Sequence, residues 1–303
     1  MSELPKSVFK YYGIAYSDVT KESRTKEYIR SLLHAESYAL YYNKPYNFND
    51  PFDSRPNFSL VHDEAHVKDV LIRTLASQPL RMQYEDPTLR LAVNDTDQWT
   101  AYCEKESRNY WNDSYDRLLV FCVSENHPAV SLAMWGHYGN NHYGFCVEFD
   151  SELFDFPPDT PTMCNLVTPA PYGSYGQAPL FKVNYSDPFA KIGIAEYANK
   201  DIPIDQARLQ AEIILGTKSK DWSWEREWRS VAQFHSPVPS GKMFFIKGQD
   251  PLSLIKAVYC GYRMDPSLVR FVKDCCRTGK GIPVYEIRGF AGDEFRLEYH
   301  RTA

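Results

Sequence analysis

The stretch DRLLVFCVSEN, Asp116–Asn126, decides how the chain folds. From Leu118 to Val123 it is apolar without a break. A strand that does not alternate polar with apolar residues is one covered on both faces. The run is far too short to cross a bilayer, so it reads as the central strand of a sheet. Ser124 ends it, and strand ends in mixed folds are where binding sites collect.

Outward from this strand the pattern alternates between short strands and helices. PAVSLAMWGHYGNN (128–141) reads as a helix stopped by Gly and Asn, and YGFCVEFD (143–150) as the next strand. Upstream lie the strand SVFKYYGI (7–14), the helix SRTKEYIRSLLHAE (23–36) and the strand SYALYYNKP (37–45). Residues 62–116 have helical periodicity and polar character, and are predicted to be a helical insertion. Residues 157–179 hold six prolines and two glycines and are predicted to be a loop. PLFKVNYSD (179–187) reads as a strand, and IDQARLQAEIILGTKSK (204–220) as a helix with Asp205 as N-cap. Strands follow at KMFFIKG, SLIKAVYCGYR, IPVYEIRG and EFRLEYH, with the helix PSLVRFVKDCCRTG (266–279) among them. Irregular alternation of this kind defines an α+β fold. The expected organisation is one domain over 1–303 with a mixed or antiparallel sheet at its core. GxGxxG, GxxxxGK[ST] and GxSxG are all missing, so Rossmann, P-loop and α/β-hydrolase folds lack their fingerprints.

Composition narrows the function classes. The 303 residues are 43% apolar and 15% aromatic, with 22 Tyr and 17 Phe. Such rings suit a core and also a pocket that stacks a flat ligand. A net charge of −5 argues against a protein that coats nucleic acid or a membrane surface by bulk electrostatics. MSELPKSVFKYYG has no apolar export signal, so a cytoplasmic location without membrane contact is the expectation. The seven cysteines are odd in number and form no CxxC, which points to reduced thiols. Cys275 and Cys276 are expected to be one buried and one exposed thiol on a helix.

Four stretches carry chemistry-bearing residues. HDEAH places His62 and His66 one helical turn apart, a spacing able to bind a metal. The first His is not followed directly by Glu and no third ligand is evident, so no metal is expected. YNFNDPFDS packs Asn47, Asn49, Asp50 and Asp53 around a proline. Asx-turns account for the polar residues; a ligand-gripping loop accounts as well for Phe48 and Phe52, if these anchor it. SENHPAVSLAMWGHYGNNHYGF combines Ser124, Trp135, His137, Tyr138 and His142, and a purely apolar core does not call for His, Tyr and Asn together.

The fourth is WSWEREWRS, Trp222–Ser230, which holds three of the six tryptophans. As a strand it would set Trp222, Trp224, Arg226 and Trp228 on one face, and Glu225, Glu227 and Arg229 on the other. The two carboxylates would then stand about 7 Å apart. As a helix it would pair Glu225 with Arg229. The continuation SVAQF favours a turning entry and then a strand from about Glu227. Paired carboxylates can orient a ribose or stabilise developing positive charge, and a salt-bridged sheet face is the structural alternative.

NFNDPFD, FCVSEN…LAMWGHYGNNHYGFCVEFD, KVNYSD, Lys218 before WSWEREWR, and VYCGYR together resemble a bacterial family known as domain of unknown function 2971. The resemblance covers roughly residues 8–263 and implies no activity. The element order is also similar to the ADP-ribosyltransferase fold, which implies a split sheet. In that fold a first-strand His or Arg and a central-strand Ser or Tyr cradle NAD, and a late Glu holds the ribose while the nicotinamide bond breaks. Carried onto this chain, the likeness implies Ser124 at the central strand and Glu225–Glu227 as the ExE pair, with Glu227 catalytic. Lys10 and Tyr11 stand where the first-strand His or Arg would be.

The resulting expectation is an NAD-consuming ADP-ribosyltransferase-like enzyme, a toxin or phage-defence effector. NAD would be co-substrate and a protein or nucleic acid the acceptor. Lys10, Tyr11, Asn49, Asp50, Ser124, Trp135, His137, Tyr138, His142 and Arg229 would bind the nucleotide. The alternatives are a sensor that binds a nucleotide or nucleic-acid end without chemistry, and a metal-dependent nuclease. The nuclease requires Asp50, Asp53, Glu225 and Glu227 to meet.

Overall fold

The computed structural model describes residues 4–14, 19–33, 40–55, 101, 105, 112, 115–154, 166–167, 174–177, 180–188, 213–234, 237, 242–246, 255–278, 281–290, 292 and 295–302. His62, His66 and nearly all of the predicted helical insertion lie outside them. So does the start of the predicted 204–220 helix, of which 213–215 are helical.

The strands are β1 (Ser7–Tyr12), β2 (Leu40–Tyr42), β3 (Leu118–Ser124), β4 (Phe145–Asp150), β5 (Leu166–Val167), β6 (Ser174–Gln177), β7 (Phe181–Lys182), β8 (Asn184–Tyr185), β9 (Thr217–Lys218), β10 (Glu227–Phe234), β11 (Lys242–Ile246), β12 (Ile255–Cys260), β13 (Val284–Phe290) and β14 (Leu297–Arg301). The described helices are α1 (Val19–Leu33), α2 (Leu132–His137) and α3 (Pro266–Arg277). β5 and β6 fall inside 157–179, so the predicted proline-rich loop contains strand.

The chain divides into two compact units. The first comprises Met1–Lys44, Leu118–Val183 and Asp221–Ala303, and the second Pro45–Arg117 and Asn184–Lys220. A nine-stranded sheet dominates the first, in the order β14-β13-β12-β4-β1-β3-β10-β6, with β7 also paired to β10. Within this sheet all pairings are antiparallel except β12 with β13, which α3 connects. β2, β11 and β5 form a smaller sheet. The fold is therefore α+β with a mostly antiparallel core. In the second unit β8 and β9 pair in parallel, and Lys218 and Asp53 form a buried ion pair at 3.4 Å. No helix among the described residues is long and apolar enough to cross a membrane.

The apolar run of β3 is buried as its lack of alternation requires, because both faces of the large sheet are covered. On one face, buried residues of α1 and α3 share a single core cluster with Val8, Phe121, Val123, Phe145, Val147 and Trp228. α3 starts at Asp265, whose carboxylate accepts from the Ser267 N–H at 2.7 Å, and has Pro266 in its first turn. Its buried residues Leu268, Val269, Val272, Cys275 and Cys276 share one helical face. Cys275 and Cys276 are thus both buried, and the expected exposed thiol is not there. The other face carries Phe9, Tyr11, Cys146, Ala257 and Tyr259, covered by Met134 and Trp135 of α2. The candidate site lies on this second face.

Candidate functional site

Three adjacent strands build the site. Antiparallel register aligns Phe9 of β1 with Ser124 of β3, and Ser124 with Glu227 of β10. Because paired residues share a face and alternate residues return to it, Phe9, Tyr11, Cys122, Ser124, Glu227 and Arg229 point the same way. Lys10 points the other way, where its Nζ sits 5.1 Å from the centre of the Phe121 ring. Lys10 is therefore not beside Ser124 and Glu227, contrary to the grouping expected from sequence.

WSWEREWRS does not alternate through its length. Lys220–Glu225 is a 3₁₀ helix, Arg226 turns with φ +48°, and the strand begins at Glu227. The turning entry followed by a strand is as expected, and in place of the single face a continuous strand would give Glu225 and Glu227 there is a corner between them. Residues of the β3 end hold that corner. The Ser124 hydroxyl donates to the Glu225 carbonyl at 2.5 Å and accepts from the Asn126 N–H at 3.0 Å. The Asn126 amide donates to the carbonyls of Trp224 (2.6 Å) and Glu225 (3.1 Å). The Glu125 N–H donates to the Arg226 carbonyl at 3.1 Å, and the two side chains pair at 2.8 Å. Burial opposes ionisation of Glu125, yet hydrogen bonds from Lys182 and Trp228 hold its carboxyl below the usual range.

Ser124 thus acts through the backbone, as a buried clip for the corner. Ser124→Ala removes a donor and an acceptor from two buried partners, and should cost about 1–3 kcal/mol of stability by urea unfolding. Asn126 and Glu125 were not singled out from sequence. The signal available was a polar SEN directly after an apolar strand.

Above the corner the aromatic residues cluster. His137 lies 5.1 Å, ring centre to ring centre, from Trp224 and 6.1 Å from Trp222. The two tryptophans are 5.9 Å apart. The Tyr138 hydroxyl donates a short hydrogen bond to Glu225 Oε1. α2 ends at His137 and thereby delivers both His137 and Tyr138 to the corner. Glu225 and Glu227 are 2% and 6% exposed. The Arg229 guanidinium grips Glu227 with two bonds of 2.9 Å, from Nε to Oε1 and from the terminal nitrogen to Oε2. Cys122, the neighbour of Arg229 across the strands, is a half-buried thiol whose pKa desolvation and Glu227 push up.

Tyr11 reaches the corner through its hydroxyl, which donates to the Asn126 carbonyl at 3.1 Å. Trp135 is fully buried, donates to the Pro128 carbonyl at 2.9 Å and packs edge-on to Tyr11. It anchors α2 rather than facing a ligand. His142 stacks on Trp135 at 5.2 Å. Asn49 and Asp50 belong to the second unit. There the Asp50 carboxylate accepts from the Phe52 N–H at 2.9 Å, an Asx-turn, and Phe52 is 62% exposed rather than anchored. No group of three or more His, Cys, Asp or Glu among the described residues is placed to hold a metal.

Burial, and secondarily Arg263, lower the pKa of His142 to about 4. An unfolded chain takes up this proton first as pH falls, so the contribution is full above about pH 6.5 and lost towards pH 4. His142 has φ +69°, a conformation Asn tolerates. Between pH 7 and 4.5, His142→Asn should lose about 1–2 kcal/mol less urea stability than the parent.

A mostly antiparallel α+β sheet whose neighbouring strands bring a Ser, a Glu–Arg pair and an aromatic cluster to one corner defines the class. Residues 134–230, which contain the end of α2, β4, the corner and the start of β10, match the family model described as protein of unknown function (DUF2971). No curated protein and no solved structure gives a match.

Proposed function

We propose that the protein is an NAD-consuming enzyme of ADP-ribosyltransferase type. The observation that carries this reading is the register Phe9–Ser124–Glu227 across three adjacent strands, with Glu225, Tyr138 and Trp224 at the same corner. The chemistry asks for a fixed carboxylate beside the ribose as the bond to nicotinamide breaks and positive charge builds on the sugar. It also asks for an aromatic surface against the nicotinamide ring. Glu227, locked by Arg229, is the carboxylate, and Trp224 with His137 and Tyr138 is the surface. Glu225 orients the acceptor. The first strand supplies Tyr11 instead of His or Arg, so NAD would be held on this side by a hydroxyl and by ring contact rather than by a cation. A toxin or phage-defence role, acting on a protein or nucleic acid, fits an enzyme of this chemistry.

The test is incubation with NAD and detection of free nicotinamide, alongside thermal protection by NAD. Turnover with protection supports the reading, and failure of both ends it. Protection without product favours a nucleotide sensor instead. One observation speaks for that second reading: both carboxylates are buried and already hydrogen-bonded.

A further inference from the structure

We propose that Arg263, bracketed by Tyr143 and Tyr262, is a second ligand site, one that takes the phosphate and base of a nucleoside monophosphate. It shares no residue with the Glu225–Glu227 corner and does not rest on the activity proposed there.

Two connections meet at this place, 138–144 between α2 and β4, and 261–265 between β12 and α3. Register aligns Cys260 with Phe145, so both leave the sheet at the same end. Backbone bonds lock them together: the Gly261 N–H to the Gly144 carbonyl at 2.9 Å and the Arg263 N–H to the His142 carbonyl at 3.1 Å. The approach is close enough to require glycine. A Cβ on Gly261 would stand 2.2 Å from the His142 oxygen, and one on Gly144 would stand 1.9 Å from the Tyr12 oxygen. Asn140, Asn141 and His142 have φ of +47°, +52° and +69°. Three consecutive non-glycine residues in the left-handed region are an uncommon strain, and strain of this kind gathers at binding sites.

The clamped turns present one set of groups outward. The Arg263 guanidinium carbon is 5.1 Å from the Tyr262 ring centre and 5.9 Å from that of Tyr143. The two rings are 46% and 37% exposed. His142 packs 4.8 Å behind Tyr262 and rests on Trp135, so the bracket has a rigid back. Among the described residues no carboxylate pairs with Arg263, in a chain of net charge −5.

A guanidinium pre-ordered on aromatic faces offers a planar fork of donors that matches phosphate. Exposed tyrosine faces beside it offer stacking area for a base. A bare anion would leave those rings wet, and a polyanion would need several cations where the bracket holds one. A ring joined to a single phosphate uses both features.

Binding of AMP, adenosine and inorganic phosphate to the full chain, read by isothermal titration at low salt, tests this. AMP should bind at least roughly tenfold more tightly than either fragment. Arg263→Gln and Tyr262→Ser, both surface changes, should each weaken AMP by about tenfold or more. Arg263→Lys should recover only part, since it keeps the charge but not the fork. Glu227→Gln should leave AMP affinity unchanged. Equal binding of phosphate and AMP, or AMP affinity indifferent to Arg263→Gln, overturns the proposal. AMP affinity lost in Glu227→Gln alone would place the nucleotide at the carboxylate corner, overturning this site while leaving the function proposed above intact.

Discussion

Glu227→Gln is expected to reduce NAD turnover by at least about 10²–10³-fold, some 3–4 kcal/mol of transition-state stabilisation. The substitution keeps shape and one acceptor oxygen, and removes the negative charge that the proposed reaction would set against the ribose. Two bonds from Arg229 hold both Glu227 oxygens in place, as the proposed reaction would require. Glu225→Gln should act differently. Its carboxylate accepts the Tyr138 hydroxyl and sits at the corner before the strand. Transfer to an acceptor should therefore fall more than hydrolysis of NAD. Measuring nicotinamide release and ADP-ribose transfer for both variants separates the roles. Unchanged nicotinamide release in Glu227→Gln would remove this residue from the chemistry.

Arg229→Met should destabilise the protein by about 3–5 kcal/mol, the usual cost of stripping one partner from a buried ion pair. Arg229 is fully buried and Glu227 is nearly so, and their two hydrogen bonds bridge alternate residues on one face of β10. The informative comparison is the double change Glu227→Leu with Arg229→Met. Replacing both charges by apolar side chains leaves neither one stranded, so much of the lost stability should return. Urea unfolding of the two single variants and the double variant gives the coupling directly. A loss below about 1 kcal/mol for Arg229→Met would mean that water or other groups compensate the carboxylate. The two expectations are linked, since a carboxylate fixed by a buried guanidinium is what electrostatic catalysis requires.

Much of this arrangement was legible in the chain. The unbroken apolar run at Leu118–Val123 predicted a central strand, and β3 has β1 on one side and β10 on the other. SVAQF predicted a strand from Glu227, where β10 begins. PSLVRFVKDCCRTG predicted a helix, and α3 begins at its Pro266. These features are local: period, caps and breakers act over a few residues. The corner was not legible. Strict alternation would put Glu225 and Glu227 on one face, but Arg226 takes a positive φ that few non-glycine residues adopt. What stabilises it comes from about a hundred residues away, through Ser124, Glu125 and Asn126. Adjacency in sequence groups Lys10 with Tyr11, and the pleat sends them to opposite faces.

The sequence by itself determined the α+β class, the central strand, the boundaries of its best helices and strands, and the residue types available for chemistry. Only the tertiary structure decided which of them meet. It brought Glu225, Tyr138, His137 and Trp224 to one corner, tied Glu227 to Arg229, and set His142 between Tyr262 and Trp135. The reason is physical. Hydrophobic period and capping fix an element from its own residues, whereas a site is fixed by register between strands and by hydrogen bonds that span the chain.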